Sequence, residues 1–407
     1  MRPSLDAIGG VCAALGDPQK KLRAIHVAGT NGKGAVCAMI DACLRADGLR
    51  IGRYTSPHLV RINERFVLDG NPVSDDKLEK CSKIVEEAIS RWGQTIEKRG
   101  LSPIEVTFFE ALTVVAFVLY ADEALDYAVL ETGLGGRLDA TNICVPEICI
   151  ITKIGLDHCD WLGDTVEKIA AEKAGIIKKG VPIVLGKNDP EVIAVVKARA
   201  SEVGAPFFYA PDMADESEIP DGFSLEGAFN RENAITALAA LKVLKKGSRD
   251  GLSNVVWPGR FQRVGRFIID GAHNPPAARA LAAALSKYAP FAGSVPTLIA
   301  GFCGDKDVDE TLRILAPLVG KGIAVRTNNP RSLAPEELAQ KMESAGIPAI
   351  SCDSIHLALE KMGSVPNGSG VDTLICGSLF LAGEALAELS AFPWQADRFD
   401  AAEILKV

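Results

Sequence analysis

Lys33 stands in a glycine-rich stretch, Gly29-Thr30-Asn31-Gly32-Lys33-Gly34, directly after the apolar run Ala24–Ala28. A lysine in such a turn suits a polyphosphate. Glycines let backbone N–H groups approach the oxygens, a following helix adds partial positive charge at its N-terminus, and the ammonium is a point charge. The stretch departs from the strict phosphate-loop pattern: Val27 stands where a glycine is wanted, and Gly34 and Ala35 replace the magnesium-holding Ser or Thr. An ordinary strand-to-helix turn is the plainer alternative. Ser56, Glu131 and His158 close three other apolar runs. With Lys33 they offer an ammonium, a hydroxyl, a carboxylate and an imidazole, and the two oxygen donors suit Mg2+. Taken singly, Ser56 is a common turn residue before Pro57, Glu131 a loop cap, and His158 a loop histidine between Asp157 and Asp160. His58 reads as structural.

A second glycine-rich stretch, Gly133-Leu134-Gly135-Gly136-Arg137, allows close backbone approach, and Arg137 could grip a carboxylate or phosphate or be a surface arginine. Lys173 lies in an Ala-rich helical stretch whose burial would demand a partner or a changed charge. Asp270 ends a later apolar run: it could bind a ribose or a cation, or cap the helix opened by Asn274-Pro275. Asn233, at the start of an Ala-rich helix, could cap it or reach an adenine edge. Arg260 and His273 have no obvious structural role.

The elements that must position these groups alternate. Leu22–Ala28, Arg50–Tyr54, Asp126–Leu130, Ile148–Thr152 and Val181–Leu185 read as short buried strands, with Val36, Ile40, Cys43 and Leu44 at helical spacing after the lysine. Ser74-Asp75-Asp76 opens a long helix, Thr107–Tyr120 is an apolar one, and Asp164 with Glu167 forms a capping box for the helix carrying Lys173. Asn63–Val73 reads as polar and turn-rich. Alternation to about Lys246 predicts a parallel sheet covered on both faces, where ligands bind at the carboxyl ends of the strands. Lys245–Gly265, with Trp257-Pro258-Gly259-Arg260-Phe261-Gln262, is the candidate interdomain linker. A second alternating run follows, with strands Phe267–Ile269, Thr297–Gly301 and Thr373–Cys376.

At 407 residues, 48% of them hydrophobic, the chain has room for two or three domains with proper cores. The net charge of −8 and the lack of a basic run speak against nucleic acid, and no apolar run is long enough to span a bilayer. Ten scattered cysteines without a C-x-x-C pair speak for a reduced, cytoplasmic chain and against a disulfide or zinc framework.

In order along the chain, His26-Val27-Ala28-Gly29-Thr30-Asn31-Gly32-Lys33-Gly34, Tyr54-Thr55-Ser56-Pro57-His58-Leu59, the block Glu131–Asn142, Leu156-Asp157-His158, Glu172-Lys173-Ala174-Gly175, Pro258-Gly259-Arg260-Phe261 and Asp270-Gly271-Ala272-His273-Asn274-Pro275 resemble the folylpolyglutamate synthase / dihydrofolate synthase family of the Mur ligase superfamily. Asp305-Lys306-Asp307 and Gly377-Ser378 continue the match.

The resemblance implies an α/β protein: a parallel-sheet P-loop ATPase domain, residues 1–258, followed by a smaller Rossmann-like α/β domain, residues 259–407. It implies an ATP-dependent amide ligase that adds L-glutamate to folates, extending tetrahydrofolate and converting dihydropteroate to dihydrofolate through an acyl phosphate. Water would be kept out by closure of the second domain. Carried over by position, Ser56, Glu131 and His158 are the Mg2+ ligands, and Gly29, Thr30, Asn31, Gly32, Lys33 and Gly34 cradle the phosphates of ATP. Asn233, Arg260 and Asp270 contact ATP, and His273 lies near the transferred phosphate. Lys33, His158, Lys173 and His273 serve catalysis, Lys173 matching a lysine that such enzymes carbamylate. Phe108, Phe109 and Arg137 are the folate-side candidates. The expected molecule is a monomer.

Two departures from the family pattern carry expectations. Ala35 lacks a hydroxyl usual at that place, which predicts weaker metal binding. The sequence starts close to His26, without the relatives' leader and its pterin-contacting loop, which ranks polyglutamate extension above dihydropteroate use. The same short lead leaves no room for a nucleotide-sugar domain, which weighs against a peptidoglycan-precursor ligase. A nucleotide-binding regulator without catalysis, suggested by Ala35, would not need Glu131, His158, Lys173 and Asp270 together.

Overall fold

The computed structural model describes residues 4–100, 105–286, 295–363, 371–391 and 393. They divide into two compact units. The first takes those of Met1–Ser224 and Arg231–Val255, the second those of Leu225–Asn230 and Val256–Ala396.

The first unit is built on eight strands: β1 Ala24–Ala28, β2 Ile51–Tyr54, β3 Phe66–Leu68, β4 Asn71–Pro72, β5 Tyr127–Glu131, β6 Ile148–Ile151, β7 Ile183–Leu185 and β8 Phe207–Tyr209. Their spatial order is β4-β3-β2-β5-β1-β6-β7-β8. All neighbours from β2 to β8 pair parallel. Every residue of β1, β2, β5 and β6 is buried, as continuous apolar runs in a sheet covered on both faces must be. The register sets Tyr54 beside Leu130, Val27 beside Glu131 and Ala28 beside Ile151, so four adjacent strands end at one level. The expected convergence of strand ends follows from this.

Several local readings are corrected. Asn63–Val73 is not merely turns: it holds the antiparallel pair β3–β4, closed by Asp69 and Gly70 at φ 48° and 87°. Asp-Gly is a favoured two-residue hairpin turn, so the signal was present. The helix Val166–Ala174 is capped by Thr165, whose hydroxyl accepts from Lys168 N; Asp164 instead pairs with the Lys168 ammonium at 2.7 Å. Part of the expected linker is packed structure. The 3-10 turn Arg249–Asn254 lies on the helix Lys33–Ala46, where a Cβ on Gly251 would fall 2.4 Å from the Ala42 carbonyl. Leu225–Asn230, inside the stretch expected for the first domain, groups with the second unit. Other expected starts hold: Ser74 and Thr107 cap the helices Asp75–Lys98 and Phe108–Ala121, the latter through a capping box with Glu110.

Among the described residues the second unit has six strands, β9 Gln262–Val264, β10 Phe267–Ile269, β11 Thr297–Ala300, β12 Lys321–Val325, β13 Ala349–Cys352 and β14 Thr373–Cys376, ordered β13-β12-β11-β14-β10-β9. Only β9 is antiparallel to its neighbour. Leu298, Ile268 and Leu374 sit in its core with Leu312, Leu338 and Met342 from the covering helices. Two parallel-dominated sheets, each with its own core, make the two-part α/β architecture.

Candidate active site

In the first unit the glycine-rich turn joins β1 to the helix Lys33–Ala46. Two of its glycines are dictated by space. Gly29 has φ 152° and a Cβ there would lie 1.9 Å from Thr152 Oγ1; Gly32 has φ 86° and its Cβ would lie 2.3 Å from Asn233 Oδ1. Asn233 is therefore no cap: it sits well inside the helix Ala228–Leu244, with its amide over the turn. Thr30 N and Asn31 N both donate to the Lys153 carbonyl, at 3.0 and 3.2 Å. These two amides thus hold the turn in shape, and the N–H groups that open the helix are left to face an anion.

The Lys33 ammonium donates to Thr30 O at 3.3 Å and lies 4.0 Å from Glu131 Oε1. Glu131, the buried last residue of β5, accepts from Ser56 N through Oε2 at 3.0 Å. Lys173, equally buried, donates to Gly29 O at 2.8 Å. Burial pushes its pKa down to about 7, helped by the charge of Lys33 and opposed by Asp157 and Asp139. Ser56, Glu131, Lys33 and Lys173 are thus joined around the turn by direct contacts.

His158 is placed differently. It heads the short helix Cys159–Leu162 at φ 52°, half exposed, with Nε2 3.9 Å from Asp157 Oδ1. Ala35 is buried in the helix behind Lys33. Among the described residues no three His, Cys, Asp or Glu side chains are gathered for a metal. The buried Glu131 carboxylate, held by the Ser56 N–H, is an oxygen ligand of the kind a hard divalent cation takes.

The second glycine-rich stretch is a socket for Glu172–Gly175. A Cβ on Gly136 would meet the Lys173 and Glu172 carbonyls at 2.8 and 2.9 Å, and one on Gly175 would meet Arg137 Cβ at 2.4 Å. Arg137 N donates to Glu172 O, and its guanidinium pairs with Glu172 Oε1 at 2.9 Å. Arg137, a folate-side expectation, is thus engaged in holding the segment that carries Lys173. Inside the loop, buried Asp139 accepts from Leu134 N at 2.9 Å, Thr141 N at 3.0 Å and the Thr141 hydroxyl. Burial raises the Asp139 carboxyl and these donors oppose the rise. Because that hydroxyl donates to Asp139, His26 Nε2, 2.7 Å away, carries the proton and donates to Thr141. Burial holds His26 neutral, with a pKa near 3. Phe109 packs on Gly133 and lies 6.2 Å from the Tyr54 ring, whereas Phe108 is exposed.

Sequence reasoning missed Arg65. Its Nε donates to His58 Nδ1 at 2.9 Å, and its charge faces Tyr54 and Glu131. It enters through the β3 hairpin, read from sequence as turns. His58, expected to be structural, is that hydrogen-bond acceptor, and burial lowers its pKa to about 4.

In the second unit Asp270 is buried after β10. Its carboxylate accepts from Phe261 N at 2.7 Å and Ala272 N at 2.8 Å. Burial raises its pKa, and the Arg260 guanidinium opposes that. Asp270 is not the helix cap: Asn274 is, accepting from Ala277 N at 2.9 Å. Arg260 reaches over Gly271, whose Cβ would lie 2.8 Å from Nη1. His273 donates from Nδ1 to Gly271 O at 2.8 Å, which fixes the orientation of its ring.

Residues 78–241 match the Mur ligase middle domain, and residues 259–379 the Mur ligase glutamate ligase domain. The dihydrofolate synthase/folylpolyglutamate synthase of Bacillus subtilis (strain 168) is 35% identical over 347 residues, 77% of this chain and 79% of that protein. The chain belongs to the folylpolyglutamate synthase/dihydrofolate synthase family. Solved members superpose along its length. Escherichia coli FolC in complex with DHPP and ADP aligns with TM-score 0.84 and 31% identity over 96% of this chain and 94% of that one. The Yersinia pestis bifunctional enzyme complexed with AMPPNP and a Mn ion aligns with TM-score 0.82 and 31% identity over the same shares. Folylpolyglutamate and dihydrofolate synthases are ATP-dependent ligases, and so is this chain. The regulator reading and the peptidoglycan-ligase reading fall away. Among the described residues no helix is long and apolar enough to cross a membrane.

Proposed function

We propose that this chain uses ATP to join the amine of L-glutamate to a folate carboxylate, lengthening tetrahydrofolate polyglutamates and turning dihydropteroate into dihydrofolate. The observation that carries the reading is the joining of Lys33, Glu131, Ser56 and Lys173 around one glycine-rich turn at the ends of adjacent strands.

The folate carboxylate oxygen attacks the γ-phosphorus of ATP, and ADP leaves. The glutamate amine then attacks the acyl carbon, phosphate departs, and the amine proton is lost. Lys33 and the first N–H groups of its helix draw negative charge from the transferred phosphoryl oxygens. Ser56, Glu131 and His158 would hold Mg2+, which supplies further neutralisation of phosphate charge when bound. Lys173 is suited to carbamylation. Near pH 7 much of its amine is neutral and nucleophilic, and addition of CO2 gives a carbamate plus a proton, turning a cation into an anion. Asn233 over Gly32 contacts ATP from the first unit. Arg260, Asp270 and His273 belong to the second unit, and the family pattern gives the first two to ATP and His273 to the transferred phosphate. Phe109, packed on Gly133, flanks the folate with Phe108 and Arg137. The enzyme acts as a monomer in the cytoplasm, a reducing compartment that agrees with ten free cysteines.

ADP release with ATP, Mg2+ and L-glutamate, in the presence of tetrahydrofolate or dihydropteroate, tests the proposal. Release that requires an acceptor, with a product one glutamate heavier, is expected; release that neither acceptor stimulates would overturn it.

A further inference from the structure

We propose that Asn188 is a positioning residue for the phosphate turn, acting through the segment Thr152–Gly155. The inference rests on the reading of that turn as the ATP site. Asn188 follows β7 and is buried. Its carboxamide meets three backbone groups: Oδ1 accepts from Ile154 N at 2.8 Å, and Nδ2 donates to Thr152 O and Gly186 O, both at 3.0 Å. These groups lie where β6 and β7 run out of ladder partners, so the amide supplies what the sheet no longer does.

The held segment in turn shapes the phosphate turn. Lys153 O takes both Thr30 N and Asn31 N, and the Thr152 hydroxyl donates to Asn31 O at 2.7 Å. Gly155 brackets the Thr30 hydroxyl, its carbonyl accepting at 3.0 Å and its N–H donating at 3.2 Å. Thr152 also fills the space that a Cβ on Gly29 would need. An unbroken chain of hydrogen bonds therefore runs from Asn188 to the residues just before Gly32 and Lys33. One acceptor and two donors at this size are offered by asparagine alone. Aspartate keeps the acceptor but turns an oxygen toward two carbonyls. Asn188 touches no reacting atom, and a purely structural loop amide is the competing account.

The two accounts separate in the kinetics of the full chain. Asn188→Asp and Asn188→Ala are expected to raise KM for ATP about tenfold or more, the scale of losing buried hydrogen bonds, while KM for the folate acceptor stays within about twofold. ADP affinity by calorimetry should fall in parallel. Thr152→Val should weaken ATP in the same way, and its combination with Asn188→Asp should cost less than the sum. Folded Asn188 variants with a lower Tm but wild-type KM for ATP and wild-type ADP affinity would overturn the proposal. So would an unchanged ATP KM in Thr152→Val, which serves alone if the Asn188 variants do not fold. Lys33→Ala is the control. If it too leaves ATP kinetics unchanged, the nucleotide reading has failed. If it cripples them while Asn188→Asp does not, only the role of Asn188 has failed.

Discussion

Lys173 is a buried amine that donates to the Gly29 carbonyl, and its pH dependence follows. Its pKa is about 7 in the folded chain against 10.5 ordinarily. Between those values the unfolded chain binds a proton that the folded chain has released, so stability rises with pH across that window, by up to ~1.4 kcal/mol per unit. Urea titrations between about pH 7 and 10 should show this rise in the wild type and a flatter profile in Lys173→Met. Ala35 carries a second expectation. Restoring a hydroxyl in Ala35→Ser should lower the Mg2+ concentration that half-saturates ADP release, and an unchanged midpoint would remove the idea that this position weakens metal binding. Lys33, Ser56 and Glu131 were legible in the sequence because each closes an apolar run, and in a parallel sheet such ends gather. His26, Thr152 and Asn188 were not. Their roles depend on partners more than 30 residues away, Thr141, Asn31 and Ile154, which only the strand order brings within reach.

The loop Gly133–Asn142 acts as a clamp on the end of the helix Val166–Ala174, and single atoms in it are consequential. Gly136→Ala places a methyl against two backbone carbonyls that cannot swing aside. A destabilisation of about 2 kcal/mol is expected, with a kcat loss beyond any change in KM because Lys173 moves; thermal melts and initial rates measure both. Arg137→Ala should differ. Its pair with Glu172 is largely exposed, so stability should change by less than ~1 kcal/mol. If Arg137 only positions Glu172–Gly175, the variant loses kcat; if it also grips folate, the acceptor KM rises. At this scale the sequence was partly readable. The Asp69-Gly70 hairpin announces itself by its turn residues, and Ser74 and Thr107 by their caps. The shift of a cap from Asp164 to Thr165 did not show, because both residue types are good caps and only the chain's path chooses. Arg249–Asn254 looked like a linker because polar, glycine-bearing segments do, yet Gly251 is there to let that segment lie against the helix Lys33–Ala46.

At the scale of the molecule, alternation of apolar runs and helical patterns sufficed to infer two α/β units, since parallel sheets leave few other arrangements. The return of Leu225–Asn230 to the second unit escaped, because nothing in those residues marks which core receives Phe229, whose ring packs edge-on at 6.4 Å from Phe261. Binding to the folded state alone should stabilise the whole chain. At a hundredfold excess over its Kd, ADP with Mg2+ should add about 2.7 kcal/mol to unfolding, and Lys33→Ala should lose most of that rise in Tm. The cysteines lead elsewhere. Nine of the ten are sealed inside, and Cys159, next to His158, is the one at the surface. A maleimide dye should therefore attach once per native molecule and ten times after denaturation, with no cysteine engineered in or out, and its emission would report nucleotide arrival beside the proposed metal ligand in real time.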